Sequence, residues 1–298
     1  MSHPRVEPDV PSSIVVARTI ADLRAAVADA RHSGRTVGLV PTMGALHLGH
    51  QALVEAAARR TGYVVVSIFV NPTQFGPGED LDKYPRTFKR DLDLCAQGGA
   101  NVVFAPEVDE VYPRGSLGAF VEVPADLGEV LEGASRPGHF RGVATVVLKL
   151  LHMVQPDAAF FGAKDYQQQL VIRRMVLDLD VPVRIETVPT VREPDGLAMS
   201  SRNRYLSEAE RSAATVLHRA LMAAKTAVDA GECDATRVRQ IARLTLESEP
   251  LAAVESIDVV DADTLKPVDR IGDRRRVVAL LAVRVGPARL IDNALLVG

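Results

Sequence analysis

Two histidines three residues apart, His47 and His50, stand inside the run Pro41-Thr42-Met43-Gly44-Ala45-Leu46-His47-Leu48-Gly49-His50. On the first turn of a helix that spacing points both rings the same way. Gly44 and Gly49 let the backbone pass close to a ligand. A helix opening here offers unpaired N–H groups and the positive end of its dipole, a ready anion site. Such a turn suits a nucleotide phosphate, with the imidazoles donating to its oxygens as charge builds during displacement at phosphorus. The plainer alternative is that the rings cap the helix or fill a polar gap.

A second cluster, Gly162-Ala163-Lys164-Asp165 followed by Gln168, also passes from an apolar run into a helical pattern. Lys164 is a compact cation suited to phosphate, Asp165 could orient it or bind ribose, and Gln168 can both donate and accept. The third, Met199-Ser200-Ser201-Arg202 with Asn203, sets two hydroxyls and a guanidinium after a Pro194-Asp195-Gly196 turn, as a phosphate clamp would. Gln74, in Asn71-Pro72-Thr73-Gln74-Phe75, and Arg136, beside a Pro-Gly turn, would suit a small polar substrate. Taken singly, an ordinary helix cap, polar loop or surface charge explains each of these.

The elements that must position these groups alternate along the first two-thirds of the chain. Residues 37–40, 63–70, 101–105, 158–161 and 183–188 read as buried strands. Helical patterns lie between them at 49–60, 87–97, 143–154 and 166–178. Strands separated by helices imply right-handed crossovers and a Rossmann-like, mainly parallel sheet with helices on both faces. Ligands collect at the carboxyl ends of such strands, where the His47–His50, Lys164 and Gln74 groups fall. After about residue 190 the pattern changes. A capping box at Ser207 and Glu210 opens an Ala-rich helix to about residue 230, and a second helix covers 234–247. Alternating strands at 256–260, 276–284 and 288–291 follow. The expected organisation is a catalytic domain over residues 1–190 and a smaller C-terminal α+β domain over 191–298, with residues 193–204 at their junction.

At 298 residues, 47% hydrophobic and 24% charged, the chain has the composition of a globular protein. A net charge of -3 gives no broad footprint for nucleic acid or an anionic membrane. Cys95 and Cys233 are the only thiols, too few for a disulfide framework or a metal knuckle, which points to a reducing, cytoplasmic location. Residues 1–13 have no apolar leader core, and the apolar run 143–154 is too short to span a bilayer.

In order, PTMGALHLGH, FVNPTQF, YPRT, RPGHFRGV, FGAKDYQQ and PDGLAMSSRN resemble the pantoate–β-alanine ligase family over nearly the whole chain, most densely across residues 37–206. HxGH and MSSR alone are similar to the HIGH and KMSKS elements of the wider nucleotidyltransferase and class I aminoacyl-tRNA synthetase superfamily. The resemblance implies a homodimeric ligase. Its substrates would be ATP, with Mg²⁺, (R)-pantoate and β-alanine, and its product pantothenate, formed through a pantoyl adenylate. By the same resemblance Pro41 to His50, Gly162 to Asp165, Val191 and Met199 to Arg202 would bind ATP, with His50 as general acid. Gln74 and Gln168 would hold pantoate, with Met43, Tyr84, Arg136 and His139 in the substrate site. Bottom-up, a carboxylate meeting a triphosphate needs positioning and charge neutralisation, which His47, His50, Lys164, Ser200, Ser201 and Arg202 could supply. Where the family often has two adjacent acids after YPRT, this chain has Lys89-Arg90 and then Asp91, leaving Asp91 as the magnesium candidate. Ala163 stands in place of a usual Glu.

The nearest rival is an adenylyl transferase of the same fold with a phosphate acceptor, but Asn71, Gln74 and Gln168 are neutral. A tRNA synthetase would need a basic anticodon domain. A non-catalytic nucleotide sensor would not need the His pair, Lys164 and the 199–202 clamp together. A lid over ATP could come from the clamp or from residues 76–82.

Overall fold

The computed structural model describes residues 14–79, 81–115, 118–272 and 275–298, so residues 1–13, and Asp80 of the 76–82 segment, lie outside the described residues. Six strands form one sheet: β1 (Val15–Ala17), β2 (Val37–Thr42), β3 (Tyr63–Ile68), β4 (Val102–Phe104), β5 (Ala158–Gly162) and β6 (Arg184–Val188). Their order is β1-β4-β3-β2-β5-β6, and the pairings are parallel. The β-branched runs of β2 and β3 are buried almost throughout, because helices flank the sheet. Helix α1 (Ile20–His32) packs with α7 (His139–Val154), and α2 (Leu48–Arg60) with α3 (Phe88–Gln97). Single turns α4 (Val108–Val111), α5 (Ala125–Gly128) and α6 (Glu132–Ser135) link β4 to α7, and α8 (Tyr166–Asp178) links β5 to β6. Strand β1 and helix α1 are additions to the sequence pattern, although Thr19 caps α1 by accepting from the Asp22 N–H. Helix α7 begins at His139, four residues before the expected Val143. The helix starts earlier because Gly138 adopts a left-handed turn immediately before it.

A second compact unit holds Ala163–Gln167 and Pro189–Gly298, whereas the first runs to Gly162 and includes Gln168–Val188. The short 163–167 segment is thus grouped with residues beyond 189 rather than with its sequence neighbours. In this unit α9 (Glu208–Ala213), α10 (Val216–Asp229) and α11 (Ala235–Glu247) accompany an antiparallel sheet of β7 (Ala252–Asp261), β8 (Val277–Val285) and β9 (Ala288–Val297). Leu217, Leu221, Val238, Leu246, Val259, Leu281 and Val283 share its core. The expected capping box is present, with the Ser207 Oγ accepting from Glu210 N–H and the Glu210 carboxylate accepting from Ser207 N–H. The single Ala-rich helix is, however, two. Thr215 Oγ1 donates to the Ser212 carbonyl at 2.8 Å, and Thr215 and Leu217 N–H groups reach back only three residues, a local tightening that interrupts the α ladder.

Candidate active site

The central strands β2 and β5 are neighbours although β2 leads directly to β3 on its other side, so the topological switch point lies between β2 and β5. At the carboxyl end of β2, Thr42 Oγ1 donates to the Ser67 carbonyl at 2.7 Å and accepts from the Gly44 N–H at 3.2 Å. Gly44 has φ +82°, where a side chain would be strained, and a Cβ there would lie 3.1 Å from Ile68 Cγ2 and 3.2 Å from Asp91 Oδ2, a tight fit. Ala45 follows in the left-handed region at φ +51°. Its N–H donates to Asp91 Oδ2 at 3.0 Å, and the Leu46 N–H donates to Asp91 Oδ1 at 2.8 Å.

His47 is the N-cap of α2, its Nδ1 accepting from the Gly49 N–H at 3.1 Å, while His50 Nδ1 accepts from the His47 N–H at 3.4 Å. The ring centroids are 4.1 Å apart. A neutral ring that accepts at Nδ1 carries its hydrogen on Nε2, so each imidazole is oriented as an Nε2–H donor. Capping and phosphate donation, separate alternatives from sequence, are therefore compatible uses of the two nitrogens.

Asp91, the expected magnesium candidate, lies in the interior. Asp91 is 1% exposed, and its carboxylate accepts from Ala45 N–H, Leu46 N–H and, at 3.0 Å, Thr87 Oγ1. A hard, strongly hydrated Mg²⁺ needs accessible oxygens with room for its waters, and these oxygens face backbone donors in the interior. Among the described residues no group of three or more His, Cys, Asp or Glu side chains could hold a metal ion. Asp91 does not fit a magnesium ligand.

Beyond β3, Asn71 caps the short turn Pro72–Gln74. Its Oδ1 accepts from the Thr73 N–H at 3.3 Å and from Tyr112 OH at 2.9 Å, and its Nδ2 donates to the Gly142 carbonyl at 3.2 Å and to Gln74 Oε1 at 3.1 Å. Gln74 Nε2 in turn lies 3.0 Å from Met43 Sδ. Gly142 lets α7 meet this turn, since a Cβ there would lie 2.3 Å from the Thr73 carbonyl oxygen.

Arg136 and His139, expected in the substrate site, lie beside the backbone of Gln74. The Arg136 guanidinium is paired with both Glu79 oxygens, at 2.8 and 2.7 Å, and holds the Glu79 carboxyl below the usual range. His139 Nδ1 meets the Gln74 carbonyl at 2.8 Å, and its Nε2 lies 3.0 Å from Arg136 Nη1. Burial, then the Arg136 charge, push the His139 pKa down to about 4. Both side chains reach the Gln74 carbonyl, Arg136 through Nη2 at 3.5 Å. Tyr84 packs edge-on against Phe75, with ring centroids 6.0 Å apart. Sequence reasoning missed Tyr112 and Glu79, whose partners are 41 and 57 residues away.

Gly162 ends β5, and Gln168 is half-buried on the first turn of α8. The other expected groups belong to the second unit. Lys164 Nζ is 3.8 Å from Asp165 Oδ1. Asn293 on β9 donates to the Ala163 carbonyl at 3.0 Å and the Lys164 carbonyl at 2.8 Å. Its neighbour Asp292 pairs with both Nη atoms of Arg192, at 2.6 and 3.0 Å. Next to Arg192, the Val191 carbonyl accepts from the Met199 N–H at 3.0 Å. Ser200 Oγ accepts from the Arg202 N–H at 3.2 Å, starting the turn Ser201–Tyr205. Asn203 Nδ2 donates to Glu193 Oε1 and to the Ala198 carbonyl, each at 3.1 Å.

Residues 15–295 match the family model for pantoate-beta-alanine ligase. A pantothenate synthetase of Moorella thermoacetica is 53% identical over 279 residues, 94% of this chain and 97% of the relative. One from Rhizobium johnstonii is 56% identical, over 92% of this chain and 89% of the relative. The crystal structure of pantothenate synthetase from Thermus thermophilus superposes with a TM-score of 0.89 at 46% identity, covering 96% of this chain and all of that one. A pantoate-beta-alanine ligase from Francisella tularensis, solved in complex with beta-gamma ATP and beta-alanine, gives a TM-score of 0.76 at 33% identity, covering 95% of this chain and 98% of that one. With a family match across almost its full length and relatives more than half identical, the chain belongs to the pantoate–β-alanine ligase family.

Proposed function

We propose that the chain joins (R)-pantoate to β-alanine, using ATP, by two successive displacements. A pantoate carboxylate oxygen attacks the α-phosphorus of ATP, the bond from that phosphorus to the β-phosphate oxygen breaks, and pyrophosphate leaves. The amine of β-alanine then attacks the carbonyl carbon of the pantoyl adenylate. AMP departs with the C–O electron pair, and loss of a proton from nitrogen leaves the amide of pantothenate. The observation carrying this reading is the turn from Pro41 to His50, whose Nδ1-capped rings leave the proton of each neutral imidazole on Nε2 at the start of α2.

In this reading Pro41, Thr42, Met43, Gly44, Ala45, Leu46, His47, Leu48, Gly49 and His50 contact the nucleotide, together with Gly162, Ala163, Lys164, Asp165, Val191 and Met199. His47, His50, Lys164, Ser200, Ser201 and Arg202 stabilise charge on the transferring phosphorus and departing pyrophosphate. His50 acts as a hydrogen-bond donor to phosphate rather than as an acid that gives up its proton. Gln74 and Gln168 hold pantoate, with Met43 and Tyr84 beside them. Magnesium would arrive on the triphosphate, and no step here depends on a protein-held ion. The same reading takes the enzyme as a cytoplasmic homodimer, for which sedimentation equilibrium is the direct check.

Isotope exchange between pyrophosphate and ATP tests the first displacement. Exchange is expected only with pantoate present, and AMP release only after β-alanine is added. Exchange driven by other carboxylic acids but not by pantoate would overturn the substrate assignment. His50→Ala and Lys164→Ala are each expected to slow exchange by roughly 10²–10³ while remaining folded. Near-normal rates in both would return these residues to helix-end roles.

A further inference from the structure

The acid that does not fit a metal ion has another use. Asp91 lies in the first turn of α3, 46 residues from Ala45 in sequence, and its carboxylate spans two consecutive backbone N–H groups of the nucleotide turn. Thr87 Oγ1, from the YPRT run, donates to Oδ1 and fixes the rotamer. Between them these contacts hold Ala45 at φ +51°, a conformation that residues with a Cβ adopt only at a cost. A Cβ at Gly44 would lie 3.2 Å from the same carboxylate, so the turn and the acid leave little room between them. The turn leads within two residues to the N-cap of α2, so the geometry at Ala45 sets where the helix N-terminus and both imidazoles point.

We propose that Asp91 is a positioning residue for the nucleotide turn: its buried carboxylate holds Ala45 and Leu46 so that the start of α2, with His47 and His50, is aimed at the phosphates. This rests on the ATP-binding reading above. Charge-assisted hydrogen bonds from two N–H groups to one carboxylate are among the stronger and more directional contacts available for such a task. An asparagine in its place keeps the shape but must set an NH₂ group against one of the two backbone donors.

The deciding experiment is calorimetric titration with ATP in EDTA, paired with pantoate-dependent pyrophosphate exchange over a range of free Mg²⁺. Asp91→Asn is expected to weaken metal-free ATP binding by about tenfold. Its exchange rate should fall by about 10²-fold, as for other small misplacements of reacting groups, with an unchanged Mg²⁺ midpoint. Adding Ala45→Gly to Asp91→Ala should recover about fivefold of the lost rate, because glycine reaches the left-handed region without a Cβ penalty. Unchanged ATP affinity in EDTA with a raised Mg²⁺ midpoint would make Asp91 a metal ligand and overturn the proposal. So would the absence of any recovery from Ala45→Gly. If the Asp91 variants do not fold, Thr87→Val decides: it removes one of the three donors, and metal-free ATP affinity should fall about threefold, while no change counts against the brace. Wild-type protein that binds no ATP would sink the underlying reading instead, an outcome distinct from any of these.

Discussion

The side-chain amide of Asn71 has its oxygen against the Thr73 N–H and its nitrogen against the Gly142 carbonyl, so backbone groups fix which way round it lies. Its Nδ2 then needs an acceptor in Gln74, which turns the Gln74 oxygen inward and leaves Nε2 as the group on the other side, next to Met43. A donor there suits the carboxylate or hydroxyl oxygens of a small hydroxy-acid. Asn71→Asp puts a carboxylate against the Gly142 carbonyl and the Gln74 oxygen and frees that amide to turn over. Steady-state kinetics should show KM for pantoate raised by about tenfold or more, with about 1–3 kcal/mol of lost stability. Tyr112→Phe leaves both backbone anchors in place, so its KM should change less than about threefold. An equal effect from the two variants would mean that the tyrosine, not the backbone, sets the amide. Much of this level was unreadable from sequence. His47 and His50 could be placed because a cap is local, three residues wide. The partners of Arg136 and His139, Glu79 and the Gln74 carbonyl, could not be read locally because they are 57 and 65 residues away.

Among the elements, β9 shows what periodicity can and cannot tell. Alternation in the sequence foretold strands near the C-terminus, but not that β9 runs ten residues or that two neighbours on it serve different loops. Asn293 holds the carbonyls of Ala163 and Lys164, 130 and 129 residues earlier, and Asp292 holds Arg192, 100 residues earlier. The buried strands β2, β3 and β5 were legible because both faces are covered, so their apolar runs are nearly unbroken. Helices α9 and α10 looked like one because an Ala-rich run gives no hint that the Thr215 hydroxyl will bond back to Ser212. The strand pair Asp292–Asn293 gives a prediction at this level. Asn293→Leu keeps the volume, removes both donors to the Lys164 turn, and leaves two partly buried carbonyls unpaired. It should lower kcat by about tenfold or more and raise KM for ATP, while KM for pantoate and the melting temperature change little. Parallel loss of pantoate affinity and melting temperature would mark Asn293 as a general support of the fold.

At the scale of the whole molecule, each unit has its own core, one built on the parallel sheet and one on the antiparallel sheet, so acid can weaken each through its own histidine. In the first, His139 is 7% exposed and has a pKa pushed to about 4 from the ordinary 6.5 by burial and by Arg136. In the second, burial and Arg192 lower the pKa of His218. Between pH 6.5 and 4 the unfolded chain binds a proton at residue 139 that the folded chain refuses. Stability therefore rises with pH across that window and falls as the solution is acidified. Glu79, held low chiefly by its hydrogen bonds to Arg136, acts in the same direction but only as pH falls through and below its ordinary 4.5. The interval from pH 7 to 5 thus separates His139 from Glu79, and a substitution separates it from His218. Wild-type protein should lose about 2 kcal/mol through His139 over that interval, a contribution that His139→Gln abolishes. Denaturant unfolding of both proteins at the two pH values measures the difference. Equal losses would mean that His139 takes up its proton without unfolding the α7 contact to Gln74.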